Sequence, residues 1–368
     1  MLILGIESTC DETGAAILKI VEKEDGQMNV KVLANIISSQ IKKHKKFGGV
    51  VPQLAAKLHQ KNFIPVLEEA LQTAKINLPA GGVKDLDKID LICVAKGPGL
   101  IPALLAGVSA AKTLAWGLKK PLVGVNHMEG HIVSSLLETK LKVKSEKLKV
   151  FEMPALALLV SGGHTQLVLI ESWLRYKILG ETRDDAAGEA YDKVAKMLGL
   201  GYPGGARIEE LAKIGNSKAF NFPRPMEKSG DYDFSFSGLK TSVKYTLDSL
   251  KLKLKVLPSV RNTYISDIAA SFQAAVIDVL VSKTIRAAQE YKIKTLIIGG
   301  GVSINQELRR QLKKSLNKNL PKVKFLAPEK EYSNDNAAMI ALAGYFRFKS
   351  GEISDWEKVQ TEAKLRLK

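Results

Sequence analysis

The chain is short of cysteine, histidine, aromatic residues and negative charge, and each shortage excludes something. Cys10 and Cys93 are its only cysteines, too few for a disulfide scaffold, so a reducing cytoplasm is the expected compartment. Aromatics at 6% and charged residues at 25% suit a globular chain rather than a disordered one. No apolar run approaches the roughly 18 residues that cross a bilayer, so no membrane association is expected. The opening MLILGIESTCDETG has neither a basic n-region nor an Arg/Ser-rich leader. No GxxxxGK[ST] motif occurs, which excludes a P-loop nucleotide site. Against 55 Lys and Arg stand only 38 Asp and Glu, a net charge of +17. An excess of that size either solvates a lysine-rich surface or matches a polyanion such as nucleic acid.

What is present reads as two α/β halves. A chain of 368 residues with 45% hydrophobic content exceeds one ordinary core and is long enough for two. LILGIE, STCDETG and AAIL read strand, polar turn, strand, and residues 155–170 repeat the design as ALALLV, SGGHTQ and LVLI. Helical apolar spacing marks residues 63–74, 101–118 and 265–291, while buried strands are expected at 89–95, 121–125 and 294–300. Strands alternating with helices predict mostly parallel sheets covered on both faces. Two basic stretches, residues 139–149 and 249–261, read as surface segments with an exposed cationic face.

HMEGH carries the sharpest chemistry. On a helix His127 and His131, four residues apart, turn through about 400° and share one face, where both imidazoles can grip one ion. Glu129 lies at i+2, about 200° from His127, and so points away from that ion. A protease general base would sit at i+1, as in HExxH. The same pair also reads as two solvated or capping histidines. Asp335, where a helix begins in SNDNAAM, is a third ligand or an ordinary N-cap, and spacing alone favours the cap.

Glycine turns form a second constellation. SGGHTQ (161–166), GYPGG (201–205) and GGGVSIN (299–305) let backbone N–H groups approach phosphate or sugar, or merely connect strands. Glu189 and Asp192 share a helix face suited to ribose hydroxyls or a divalent ion, and equally to a solvated acidic first turn. Asp11 and Glu12 are adjacent carboxyls able to bind a cation or act as a base. DYDFSFSGLKTS (231–242) reads as a loop.

Together GIESTCDETG, GGVVPQLAAKLHQ, GPGLIPALLAG, NHMEGH, ALLVSGGHTQL, DDAAGEAYDKVAKMLGLGYPGG, FPRPM, DFSFSGLKTS, GGGVSINQELR and SNDNAAMIALAG resemble the universal tRNA adenosine threonylcarbamoyltransferases of the bacterial TsaD type. These motifs span residues 1–347 in the family's order. The resemblance implies a two-lobed actin/hexokinase/Hsp70-like α/β fold with a duplicated mixed sheet flanked by helices. Its first lobe would cover residues 1–126, joined by a C-terminal helix of about 335–368, and its second residues 127–334. It implies transfer of threonylcarbamoyl from threonylcarbamoyl-AMP to N6 of adenosine 37, in the anticodon loop of tRNAs reading ANN codons. It also implies one divalent metal, iron(II) before zinc(II), on His127, His131 and Asp335. By the same resemblance substrate contacts would fall on Leu159, Val160, Ser161, Gly162, Gly163, Asp192, Gly205, Glu209 and Asn305, with Asp11 and Glu12 as candidates for assisting transfer. The implied partners are an inactive actin-like paralogous subunit, a small P-loop ATPase and a second copy of the chain. Where the family often has PELASR this chain has PQLAAK, so Gln53 and Lys57 replace an acid and an arginine. The rival readings are a non-catalytic actin-like scaffold subunit and, behind it, a metallo-endopeptidase.

Overall fold

The computed structural model describes residues 1–22, 28–76, 86–137, 140–141, 151–254 and 261–368. The apolar opening forms β1 (Leu2–Glu7), which turns through Ser8–Asp11 into β2 (Glu12–Glu22), followed by β3 (Met28–Ser39). After the short α1 (Ile41–His44) comes α2 (Pro52–Thr73), then β4 (Leu91–Gly97), α3 (Ile101–Leu118), β5 (Leu122–Asn126), α4 (His127–Val133) and β6 (Lys140–Leu141). These strands make one sheet in the order β5-β4-β1-β2-β3-β6.

The second half repeats the scheme. β7 (Ala155–Val160) and β8 (Thr165–Ser172) pair antiparallel as β1 and β2 do, and β9 (Arg175–Glu181) follows. Next come α5 (Ala187–Met197), α6 (Gly205–Ala212), α7 (Ser237–Leu254), α8 (Arg261–Glu290), β10 (Thr295–Gly299), α9 (Gln306–Asn319) and β11 (Lys324–Leu326). The second sheet runs β11-β10-β7-β8-β9. The chain ends with α10 (Lys330–Ser333) and α11 (Ala337–Lys349).

Both sheets are mixed rather than mostly parallel. Strands joined by a short turn can pair only antiparallel, which accounts for β1–β2 and β7–β8. Strands joined through a helix, β1–β4, β4–β5, β7–β10 and β10–β11, are parallel. Helix α2 starts at Pro52, well before residue 63, because proline suits a first helical turn. DYDFSFSGLKTS is only half loop, since α7 begins at Ser237. The basic stretch 139–149 lies outside the described residues apart from β6. Residues 249–254 of the other stretch are the end of α7, and 255–260 lie outside the described residues.

Two compact units result. One holds Met1–Glu152, Trp173–Arg175 and Pro328–Lys368, the other Met153–Ser172 and Tyr176–Ala327. The division falls between Glu152 and Met153, not at residue 126. The histidine helix α4 therefore belongs to the first unit, where it follows β5 without a break and packs against α11. Among the described residues two helices are long and apolar enough to cross a membrane by length and composition alone, Ile101–Leu118 and Asn262–Glu290. The second is mostly buried, with Ile268, Phe272, Val276 and Leu280 in the core of its unit. The first packs on α2 and β4.

Helix α11 is the keel of the first unit. Every residue from Ala337 to Phe346 is buried, and small side chains let it lie close on the sheet. A Cβ on Gly344 would come within 2.2 Å of Cys93 Sγ, and one on Gly5 within 2.2 Å of the Ala337 carbonyl. Gly344→Ala should therefore overpack the helix–β4 contact and destabilise the protein by about 1–3 kcal/mol. Urea unfolding followed by circular dichroism should show a lower midpoint, and an unchanged midpoint would contradict this packing.

Candidate active site

Helix α4 begins at the first histidine. The Asn126 side chain caps it by accepting the Met128 N–H at 2.9 Å, so His127 and His131 stand one turn apart at the end of β5. Their rings meet edge to face with centroids 4.7 Å apart. Asp335 comes from the other end of the chain. Its Oδ1 lies 3.4 Å from His127 Nε2 and 3.2 Å from His131 Nε2, and one ligand atom from each of the three residues lies within 4.8 Å of the others. Asp335 is not the helix cap. Asn336 is, accepting the Met339 N–H at 3.0 Å, which leaves the Asp335 carboxylate to the histidines.

Behind His127 stands Glu7, a buried acid at the end of an apolar strand, which the sequence reading passed over. Its Oε2 accepts the His127 Nδ1 proton at 3.0 Å and its Oε1 accepts the Thr9 N–H at 2.6 Å. Thr9 Oγ1 adds a contact to the same Nδ1 at 3.3 Å. A carboxylate on Nδ1 fixes the tautomer and aims Nε2 outward, the arrangement metal-bound histidines adopt. His131 is fully buried, and neither ring nitrogen makes a hydrogen bond in the protein, because its approach to Asp335 lacks hydrogen-bond geometry. An orphaned buried imidazole is costly unless something fills the gap. Two imidazoles and one carboxylate around that gap fit a divalent ion with positions left open for substrate.

The charges are consistent with that fit. Burial alone would push the His127 imidazole down, but the Glu7 and Asp335 carboxylates outweigh it and hold its pKa well above the ordinary value. His131 is pushed down by burial and by the neighbouring His127 charge, against the pull of Asp335. Burial raises Asp335, yet the two histidines hold it well below the usual carboxylate range. Without an ion the cluster is a His127–Asp335 ion pair beside a neutral His131.

The acidic turn faces the same cluster. Asp11 is buried with Oδ2 unpartnered, and Glu12 sits at the start of β2 with Oε1 accepting from Ser39 Oγ at 3.3 Å. Burial, reinforced by Asp11 and Asp335, raises the Glu12 carboxyl well above its ordinary value. From α2 the buried His59 holds the turn in place, with Nδ1 2.8 Å from Thr13 Oγ1 and Nε2 3.0 Å from the Cys10 carbonyl. Both cysteines are free. Glu129 points away from the cluster of His127, His131 and Asp335. It is buried against Arg347, with Oε2 2.5 Å from Nε, and cannot act as a peptidase base.

In the second unit the glycine turns converge. A Cβ on Gly188 would strike the Ser161 carbonyl at 2.6 Å, and one on Gly300 (φ +85°) the Val160 carbonyl at 2.4 Å. The start of α5 thus presses on Ser161 and Gly162, and the turn after β10 on Val160. The Leu159 and Val160 side chains are fully buried, so only their backbone can meet a ligand. Gly162, Gly163 and Gly205 have open space where a Cβ would stand. Asp192 accepts the Gly204 N–H at 2.7 Å, holding the GYPGG turn, while Glu189 pairs with Lys193 at 2.7 Å and does not join it. Asn305 caps α9 through Leu308 N–H and donates to Gln273, and Glu209 accepts the neighbouring Gln306 N–H at 2.8 Å. Ser161–Gly163, Gly205, Glu209 and Asn305 therefore belong to one network of turns.

Comparison with known proteins gives these geometries a context. A family model described as tRNA N6-adenosine threonylcarbamoyltransferase matches residues 31–342. A protein of that name from Listeria monocytogenes is 48% identical over 356 residues, 97% of this chain and 94% of the relative. One from Thermosipho africanus is 47% identical over 355 residues, 96% and 97%. Among solved structures, HypF of T. kodakarensis superposes with a TM-score of 0.57 at 14% identity, over 95% of this chain and 48% of its own. That likeness is one of fold, the actin-like α/β class with its duplicated mixed sheet, and the chain spans about half of HypF.

Because His127 carries a proton on the nitrogen that would face an ion, metal uptake must displace it. Apparent affinity for a divalent metal should rise about tenfold per pH unit while the solution stays below the His127 pKa. Calorimetric titration in buffers of different ionisation enthalpy should record about one proton released per metal bound. A pH-independent affinity would contradict the ion-pair description.

Proposed function

The chain belongs to the tRNA N6-adenosine threonylcarbamoyltransferase family, transferases that modify tRNA, and on that premise we propose that His127, His131 and Asp335 form its metal-dependent active centre. The observation that carries the proposal is the convergence of three ligand atoms within 4.8 Å, backed by the Glu7 carboxylate on His127. Iron(II) is the proposed ion, with zinc(II) as the other that two imidazoles and a carboxylate suit. When bound, it supplies a Lewis acid for an oxygen of the acyl donor.

The donor is proposed to be threonylcarbamoyl-AMP, a mixed carbamoyl–phosphoric anhydride. Gly162 and Gly163, exposed, and half-buried Ser161 offer backbone to its phosphate, and Asp192, Gly205, Glu209 and Asn305 would complete the adenylate contacts with the Leu159–Val160 backbone behind them. N6 of adenosine 37, splayed from the anticodon loop of tRNAs reading ANN codons, attacks the carbamoyl carbon. The new C–N bond forms, the C–O bond to phosphate breaks, AMP leaves, and the surplus N6 proton passes to a base. Asp11 and Glu12 are the proposed proton carriers, Glu12 lying close enough to feel the Asp335 charge. Glu7 acts through His127 and is a positioning residue.

The proposed partners are an inactive actin-like paralogue, a small P-loop ATPase and a second copy of the chain. Helices α2 and α3 pack together and leave Ile64 57%, Leu105 49% and Trp116 64% exposed, apolar surface that a protein partner would cover. Two free cysteines and a tRNA substrate suit a reducing cytoplasm.

The test supplies the purified chain and its partners with threonylcarbamoyl-AMP and unmodified tRNA, and reads modified adenosine 37 by mass spectrometry. His127→Ala should abolish transfer. Glu7→Gln should weaken metal affinity roughly 10–100-fold and recover activity in excess metal. Full activity of His127→Ala would overturn the assignment of the centre.

A further inference from the structure

Between Gly26 and Leu67 the chain carries seven lysines and no Asp or Glu. Four of them, Lys42, Lys43, Lys45 and Lys46, fall in the segment IKKHKKF and are all exposed. Among the described residues none of the four pairs with a carboxylate. Like charges this close repel and lower stability unless a counter-charge arrives, so their concentration here needs a reason beyond solubility. The neighbouring Phe47 is 54% exposed, and Lys46 Nζ lies 5.1 Å from its ring centroid. Exposed cations interleaved with an aromatic ring are what single-stranded nucleic acid binds, phosphates to ammonium groups and a base to the ring.

The segment is also fixed in place. Buried His44 accepts the Val51 N–H at Nδ1 and reaches Gln40 Oε1 through Nε2, 3.1 Å away. Gln40 in turn donates its N–H to the Asp11 carbonyl at 2.9 Å and its Nε2 to the Ala55 carbonyl. The lysines are thus built onto the acidic turn itself. Lys42 is three residues from Ser39, the cross-strand partner of Glu12, a span of at most roughly 10 Å.

We propose that the Lys42–Phe47 segment is a tRNA-binding platform, its lysines gripping anticodon-stem-loop phosphates and Phe47 stacking on an unpaired base beside the reacting adenosine. The proposal rests on tRNA being the substrate and adds the surface that holds it. It gives the lysines a counter-charge and places that charge within reach of the turn where the N6 proton is taken.

The test measures binding of labelled, unmodified tRNA by fluorescence anisotropy from about 50 to 300 mM KCl, with the chain alone and with its partner subunits. Lys42→Ser/Lys43→Ser/Lys46→Ser should weaken binding at least about tenfold near physiological salt and flatten the log–log salt slope by roughly two. Phe47→Ala should weaken binding about fivefold or more with the slope unchanged, as loss of stacking rather than charge. Lys313→Ser/Lys314→Ser/Lys318→Ser removes the same charge from the exposed face of α9 and should leave the slope nearly unaltered. Equal losses in the two triple variants would show that net charge alone matters, and would overturn the proposal. So would a loop variant that keeps tRNA affinity but no longer joins its protein partners, which would make the segment a protein contact. A wild-type protein that fails to bind tRNA at low salt would sink the substrate reading itself, and the platform with it. Unfolding midpoints should match across the variants, since these lysines make no ion pair in the described residues.

Discussion

The closeness of α11 to β1 is the constraint from which the first unit's chemistry follows. Gly5 has no side chain where the Ala337 carbonyl sits, and any Cβ there would meet it at 2.2 Å. The start of α11 therefore rests on the strand that leads to Glu7. Asn336 takes the cap, and the preceding Asp335 is directed at His127 and His131. One steric allowance at residue 5 thus joins ligands more than 200 positions apart in the chain. A larger residue there would lift the helix and open the triangle even with all three ligands intact.

Electrostatics then decides what the triangle is for. A structural trio of two histidines and an acid would satisfy its own hydrogen bonds. This one leaves His131 with no hydrogen bond at either nitrogen, while His127 is charged between two carboxylates. That donor set could hold a cation: one imidazole is oriented from behind by Glu7, and the Asp335 carboxylate is held well below its ordinary pKa by the histidines. The Glu12 carboxyl is raised first by burial and further by Asp11 and Asp335.

The second unit solves a different problem with backbone rather than charge. Gly188 and Gly300 allow two elements to press on the Val160–Gly162 turn where side chains would collide. Asp192 and Glu209 spend their carboxylates on the backbone N–H groups of Gly204 and Gln306. The turns are thereby held rigid around open space at Gly162, Gly163 and Gly205. Acids that sequence alone offers as ligand contacts are, in part, the supports of the turns that would make those contacts.

Local pattern was enough for most elements and for the shared face of the two histidines. Period-two and period-3.6 runs located most strands and helices, the duplicated strand–turn–strand units pointed to two halves, and i, i+4 spacing put His127 and His131 on one face. The same geometry turns Glu129 away from the His127 face. Three matters were decided only in the folded chain. Strand direction depended on connection length, so the sheets are mixed. The unit boundary depended on what α4 packs against, so the histidines moved to the first unit. The neighbours of Glu7 and Asp335 were set by long-range packing: an acid ending an apolar strand and an acid before a helix are ordinary features until the fold brings both to His127. Periodicity reports which face of an element is buried. It carries no information about which distant element covers that face, and the centre of this protein is made of such meetings.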